Sequence, residues 1–218
     1  MKKHELKLWV RSLGPYRYLY IALPMLVLPF FALLIHLFFP PDHVSPWIHM
    51  LFLTVLPLFS IIPPLEIIDS LVSQSSIESL QPFIQPGYRW KASILIFGIF
   101  YSPGLAWMFI FSWVGWVELW LILYLGPLTI WLFFHFYALA VISKQSRIAT
   151  YSLILYSLVN FVLGTDFPNF PMFFTQRPPS GSDLLSSHLL YIMSSLLWMI
   201  IAEKKVPLGR KEQNTHKQ

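Results

Sequence analysis

The chain has 218 residues, of which 56% are hydrophobic and 11% charged, and its formal net charge is +5. A soluble domain carries roughly 25% charged residues, so this chain has too few charges to cover a globular surface. Intrinsic disorder is excluded as well, because its signature is low hydrophobicity with high net charge. The absence of cysteine excludes a disulfide framework and a thiolate metal site. The class that remains is an integral membrane protein.

Six apolar stretches are long enough, or nearly so, to cross a bilayer as helices, which takes about 20 residues each. They are Tyr18–Phe39, Trp47–Ile68, Ala92–Val114, Val117–Ile142, Ile148–Gly164 and Leu184–Ala202. The sequence therefore predicts an all-α protein with one membrane domain over residues 1–218. In this prediction a six-helix bundle covers residues 18–202, and a basic tail covers residues 203–218.

The basic residues predict how these spans are oriented. If all six spans cross, each of the 15 Lys and Arg residues except Arg177 falls on the same side of the membrane. Positive charge in short loops stays in the cytoplasm, so both termini are predicted to be cytoplasmic. The same distribution argues against a nucleic-acid partner, because the basic residues occupy the chain ends and the short gaps between apolar runs. The predicted location is the cell membrane, with lipid as one partner.

The first 17 residues are predicted to form an amphipathic helix on the inner leaflet. Apolar residues such as Leu6 and Trp9 are interspersed with Lys3 and Lys7, and Gly14-Pro15 ends the pattern before the first span. Basic amphipathic helices of this kind lie in the membrane interface. The alternative is a positively charged leader that only fixes the topology.

Motifs for catalysis are absent from the sequence. It contains no Gly-x-x-x-x-Gly-Lys-Ser/Thr phosphate loop, no His-Glu-x-x-His and no Gly-x-Ser-x-Gly. Among acids, Glu118 comes nearest to a span, at a mouth where it can reach water, and His135 and His188 are predicted to serve helix–helix hydrogen bonding. His36, Asp42, His43 and His49 surround the first outer turn, but their spacing matches no metal motif. We therefore expect no catalytic residue, no metal and no cofactor.

The polar connection between the second and third spans carries the most information. Ser75 or Ser76 is positioned to cap a short helix that has Glu78 in its first turn, and Pro82, Pro86 and Gly87 end it. A helix of this kind, parallel to the membrane, is a docking surface for a cytoplasmic partner; the alternative is a solvated loop. The predicted partner-binding residues are Glu66, Asp69, Ser76, Ile77, Glu78 and Leu80.

These features together resemble the permeases of type-2 ABC exporters. The shared features are an amphipathic amino-terminal helix, six spans with both ends inside, and an inner helical connection after the second span. In that family the connection commonly reads Glu-x-Gly-Thr-Leu-Glu-x-Leu, followed by a proline and a basic-aromatic entry to the third span. This chain has Ser75-Ser76-Ile77-Glu78-Ser79-Leu80, then Pro86 and Arg89-Trp90-Lys91. Ser75 replaces the family glycine, Ser76 replaces the threonine, and Pro82 is an insertion.

The resemblance implies a permease subunit that itself hydrolyses no ATP. It implies two partners: a separate ABC ATPase subunit that binds the connection, and a second permease subunit that completes the transport path. It also implies interfacial helices between spans five and six, where the aromatic residues of 166–183 would either gate the exit or anchor the loop. The rival classes are a non-transporting immunity or assembly protein and, with less support from the span composition, an intramembrane enzyme.

Overall fold

The computed structural model describes residues 16–39, 41–72, 88–163 and 181–205, and every regular element in these ranges is helical. We number the α-helices α1 to α7 in chain order, and a π-helix over Leu23–Val27 connects the first two. The helices are α1 (Tyr16–Ala22), α2 (Leu28–Phe38), α3 (Pro41–Val72), α4 (Tyr88–Trp113), α5 (Leu119–Ser143), α6 (Ser146–Leu163) and α7 (Gly181–Lys205).

Prolines account for the break between α1 and α2. Pro24 has no N–H for the carbonyl of Tyr20, and Pro29 has none for the carbonyl of Met25. Over Leu23–Val27 the backbone adopts the wider turns of a π-helix, and from Leu28 onward it is α-helical again. Local π geometry is one way in which membrane helices accommodate proline. The two prolines are thus accommodated by a π segment within the first span.

Short turns connect the helices, and the residue types in each turn account for its backbone conformation. Phe39 is extended (φ −108°, ψ 147°), as expected for a residue that precedes proline, and α3 then begins at Pro41. Gly115 has a φ of 83° and ends the turn after α4, where Trp116 N–H donates to the Phe111 carbonyl over 2.8 Å. Lys144 takes the left-handed conformation between α5 and α6.

Helix α3 packs against more helices than any other helix of the described bundle does. It packs against α1, α2, α4, α5 and α6, and its contact with α4 is the most extensive of these. Helix α5 forms the second centre, since it packs against α3, α4, α6 and α7. Among the described helices, α7 packs substantially on α5 alone.

A glycine of α4 lies at a point where α3 and α4 approach closely. Gly104 is buried, and a Cβ atom placed on it would lie 1.9 Å from Leu56 Cδ1 and 3.1 Å from Leu56 Cγ. Leu56 is itself fully buried. Small residues let membrane helices approach closely, which strengthens their van der Waals packing. The backbone of α4 at Gly104 therefore lies directly against a leucine side chain of α3.

Three of the described helical stretches are long and apolar enough to cross a membrane: Tyr18–Phe38, Ser93–Trp113 and Leu119–Ser143. They coincide closely with the predicted first, third and fourth spans. The remaining three predicted spans fall on α3, α6 and α7, where the described apolar helices are the shorter stretches Thr54–Glu66 and His188–Ala202. The prediction of an all-helical protein is confirmed for the described residues, and three of their helical stretches have the length and apolar composition that a membrane span requires.

Candidate functional site

The predicted partner-binding residues divide between a described helix and the segment that follows it. Glu66 and Asp69 lie on α3, which continues to Val72. Ser76, Ile77, Glu78 and Leu80 lie outside the described residues, as do residues 1–15 of the predicted amphipathic helix. Helix α4 begins at Tyr88, at the basic-aromatic entry that the sequence suggested. Two helices of the bundle therefore flank the predicted docking segment.

The side chain of Glu66 accepts a hydrogen bond from a residue of the first span. The hydroxyl of Tyr20 on α1 donates a hydrogen bond of 2.5 Å to Glu66 Oε1, and the Glu66 side chain is half-buried. The ring of Tyr20 also meets the ring of Phe100 on α4 edge to face, with centroids 6.3 Å apart. Glu66 is the last residue of the apolar stretch Thr54–Glu66. One tyrosine thus connects the beginning of the first span with the carboxyl-terminal part of α3 and with α4.

Sequence reasoning treated Glu118 as the acid nearest to a span and did not anticipate the role of Glu66. Glu118 is exposed immediately before α5 and accepts a hydrogen bond from the indole of Trp120. Glu66 lies on α3 and has a partner from another helix. An available signal was the position of Glu66 inside the predicted second span, Trp47–Ile68, where an acid is costly and calls for a partner.

An aromatic cluster lies at the end of these helices that is opposite to the Tyr20–Glu66 hydrogen bond. His36, near the end of α2, stacks on Trp116 with ring centroids 4.4 Å apart, and Trp116 stacks on Phe111 at 5.3 Å. Phe111 contacts Phe52 of α3 at 5.8 Å. Of the four residues at the first outer turn, His36 has a described side chain, whereas the side chains of Asp42, His43 and His49 lie outside the described part of the chain. Here His36 packs the end of the first span against the turn after α4.

A second cluster joins α5 to α7. Trp131 Nε1 donates a hydrogen bond of 2.9 Å to Ser194 Oγ, and the ring of Trp131 lies 5.2 Å from that of Tyr191. His135 packs on Trp131 at 4.3 Å and meets Trp198 at 5.7 Å. The ring nitrogen Nδ1 of His135 lies 3.2 Å from the carbonyl oxygen of Trp131 on its own helix. The interhelical hydrogen bond here is made by Trp131, while His135 contributes packing.

Replacing Ser194 with alanine should weaken the α5–α7 contact, because the Trp131 N–H then loses its acceptor. We expect the free energy of unfolding in detergent to fall by about 0.6 kcal/mol, the average for interhelical hydrogen bonds in membranes, and by no more than about 1.7 kcal/mol. The matched control is Ser102→Ala, since the exposed Ser102 hydroxyl bonds only to the Ile99 carbonyl of its own helix. Equal effects of the two substitutions would contradict an interhelical role for Ser194.

Comparison with known proteins adds no relative. No protein-family model matches the chain, and neither a curated protein nor a solved structure matches it.

Proposed function

We propose that this chain is the permease subunit of an ABC transporter, an exporter, whose ATP is hydrolysed by a separate subunit. In this proposal six helices cross the cell membrane and both termini are cytoplasmic. Three features support it: the apolar helical bundle, the distribution of the basic residues, and the resemblance of residues 75–80 and 86–91 to the coupling connection of type-2 permeases.

The observation that carries the proposal is the position of α3. This helix leads directly into the segment proposed to receive the ATPase, and it packs against α1, α2, α4, α5 and α6. A force applied just after Val72 would therefore act on the helix with the largest number of neighbouring helices in the described bundle. A connection attached to α7, which packs substantially on α5 alone among the described helices, would act directly on one neighbouring helix. Packed helices transmit such displacement because protein interiors have low compressibility.

The outer faces of the bundle are apolar enough to contact both membrane lipid and a second subunit. Large apolar side chains on α2, α4, α6 and α7 are more than half exposed, among them Leu37, Phe109, Leu155, Leu190 and Met193. Lipid tails are as apolar as leucine, so such faces are stable in a bilayer. In the proposed transporter one of these faces packs against the second permease subunit, and lipid covers the others.

Purification of the full-length tagged chain from its native membrane in mild detergent tests the proposal. We expect ATP hydrolysis in the eluate together with a subunit that contains a phosphate loop. Removal of that subunit by a stringent wash should abolish hydrolysis, because this chain has no phosphate loop. Hydrolysis by the pure chain, or the lack of any ATPase subunit in the mild eluate, would contradict the proposal.

Reporter fusions test the proposed topology. Because the basic residues lie almost entirely on one side, cytoplasmic signals are expected from fusions after Leu13, Gln85, Gln145 and Arg210. External signals are expected from fusions after Val44 and Ser180. A cytoplasmic signal at Ser180 would leave the last two predicted spans uncrossed and refute the six-span arrangement.

A further inference from the structure

The first span consists of two α-helical halves, α1 and α2, separated by the π segment Leu23–Val27. Kinks in helices occur at prolines and at π-bulges, and this segment has both. Isolated π turns inside α-helices are rare and are frequently found at functional sites. Between the two halves of this span, Pro24 and Pro29 therefore lack the backbone N–H donors of a regular α-helix.

The carboxyl-terminal half is anchored by packing. Leu28 and Ala32 of α2 are fully buried, and α2 packs more extensively on α3 than α1 does. At its end, His36 stacks on Trp116 with a centroid distance of 4.4 Å. These contacts fix α2 to α3 and to the turn after α4.

The amino-terminal half packs less extensively on α3 than α2 does. Tyr18 and Leu19 are 66% and 51% exposed, and α1 has only slight contact with α3 and α4. Among the contacts that hold it are those of Tyr20, with its hydroxyl on Glu66 and its ring edge against Phe100. A hydrogen bond to a carboxylate is stronger than one between neutral groups.

We propose that α1 is a movable arm that pivots at Leu23–Val27, and that the Tyr20–Glu66 hydrogen bond is the latch that holds it against α3. When the latch opens, α1 swings away while α2 stays packed. This inference concerns the motion of one half-span and holds whether or not the chain transports a substrate.

Spin labels on introduced cysteines test the latch, and the native chain has no cysteine to interfere. One label pair, at Leu19 and Leu95, reports the position of α1 relative to α4. A second pair, at Leu33 and Ile110, reports the position of α2; all four sites are exposed. Distances are measured by electron paramagnetic resonance on the full chain in lipid vesicles.

Tyr20→Phe should raise the ratio of open to latched arms by roughly tenfold or more, the change expected for loss of a hydrogen bond to a charged group. The first pair then shows a second, longer distance, and the second pair is unchanged. Tyr151→Phe, which removes an exposed hydroxyl from α6, is the control and should leave both pairs unchanged. Glu66→Gln keeps an acceptor for Tyr20, so the first pair should change less than it does in Tyr20→Phe.

Restoring the backbone donors tests the pivot. Pro24→Ala with Pro29→Ala should return the segment to continuous α-helix, so that Tyr20→Phe in this background no longer opens the first pair. Three results would overturn the inference: both pairs changing together, neither pair changing in Tyr20→Phe, or opening that persists without the prolines. The first would mean that the span moves as one rod, the second that the hydrogen bond holds nothing, and the third that the pivot lies elsewhere.

Discussion

Aspartate at both Ile77 and Leu80 should abolish association with the proposed ATPase subunit and leave membrane insertion intact. The two apolar side chains would form the contact face of the docking helix, and burying an unpaired charge there costs several kcal/mol. Each 1.4 kcal/mol lowers the affinity about tenfold, so the bound ATPase fraction should fall by orders of magnitude. Co-purification of the two subunits measures the effect. Neither residue lies in a predicted span, which is why insertion should be normal.

The control for this double substitution is the same change in the predicted outer loop, at Phe170 and Phe173, which should leave the ATPase bound. Glu78→Ala adds a graded test. Its effect should be small if the carboxylate contacts the partner at a hydrated rim and large if the contact is buried. An Ile77/Leu80 double variant that inserts normally and binds its ATPase as well as the native chain would make residues 73–87 an ordinary loop.

Gly104→Ala should destabilise the bundle by about 1–3 kcal/mol, the usual cost of overpacking a filled core. The new Cβ would lie 1.9 Å from Leu56 Cδ1, and the buried leucine can make room only if α3 and α4 separate or the side chain leaves its rotamer. Thermal unfolding in detergent measures the loss. The free energy of unfolding is the quantity to compare among variants.

Two variants show whether the clash itself is responsible. Gly98→Ala is the matched control, because a Cβ there meets no atom within 4 Å. It should be neutral or stabilising, since alanine is favoured over glycine in helices by about 1 kcal/mol. Leu56→Ala removes the opposing methyl groups, so Gly104→Ala should cost less in that background than in the native chain. If Gly104→Ala and Gly98→Ala had equal effects, the close approach of the helices would be unimportant for stability.

The membrane helices could be predicted well where long apolar runs dominate. Tyr18–Phe39, Ala92–Val114 and Val117–Ile142 differ by at most a few residues from the apolar helical stretches of the structure. Their ends follow from local signals, such as Pro40 after the first and Gly115 after the third. The second predicted span, Trp47–Ile68, lies within the longer helix α3. This helix begins earlier, at Pro41, and continues past the apolar run through the polar residues Asp69 and Ser70 to Val72.

The candidate site was less predictable, because its contacts are tertiary. The prolines at 24 and 29 indicated a kink, but the sequence does not distinguish a kinked α-helix from a π segment. The Tyr20–Glu66 hydrogen bond joins residues 46 positions apart, and no local pattern reports which helices become neighbours. Likewise, the close approach at Gly104 depends on the residue that α3 places opposite it. Coupling through Ser76, Ile77, Glu78 and Leu80 stays a prediction, since these residues lie outside the described part of the chain.

Because α7 packs substantially on α5 alone among the described helices, the other helices can complete their contacts before it arrives. Among the described helices α7 is also synthesised after the others, so the order of synthesis and the order of packing agree. Membrane helices first insert individually and then associate, so in the proposed six-span arrangement the Trp131–Ser194 hydrogen bond would belong to the second stage. Assembly of the described bundle would therefore end with the docking of α7 onto a surface already formed by α5.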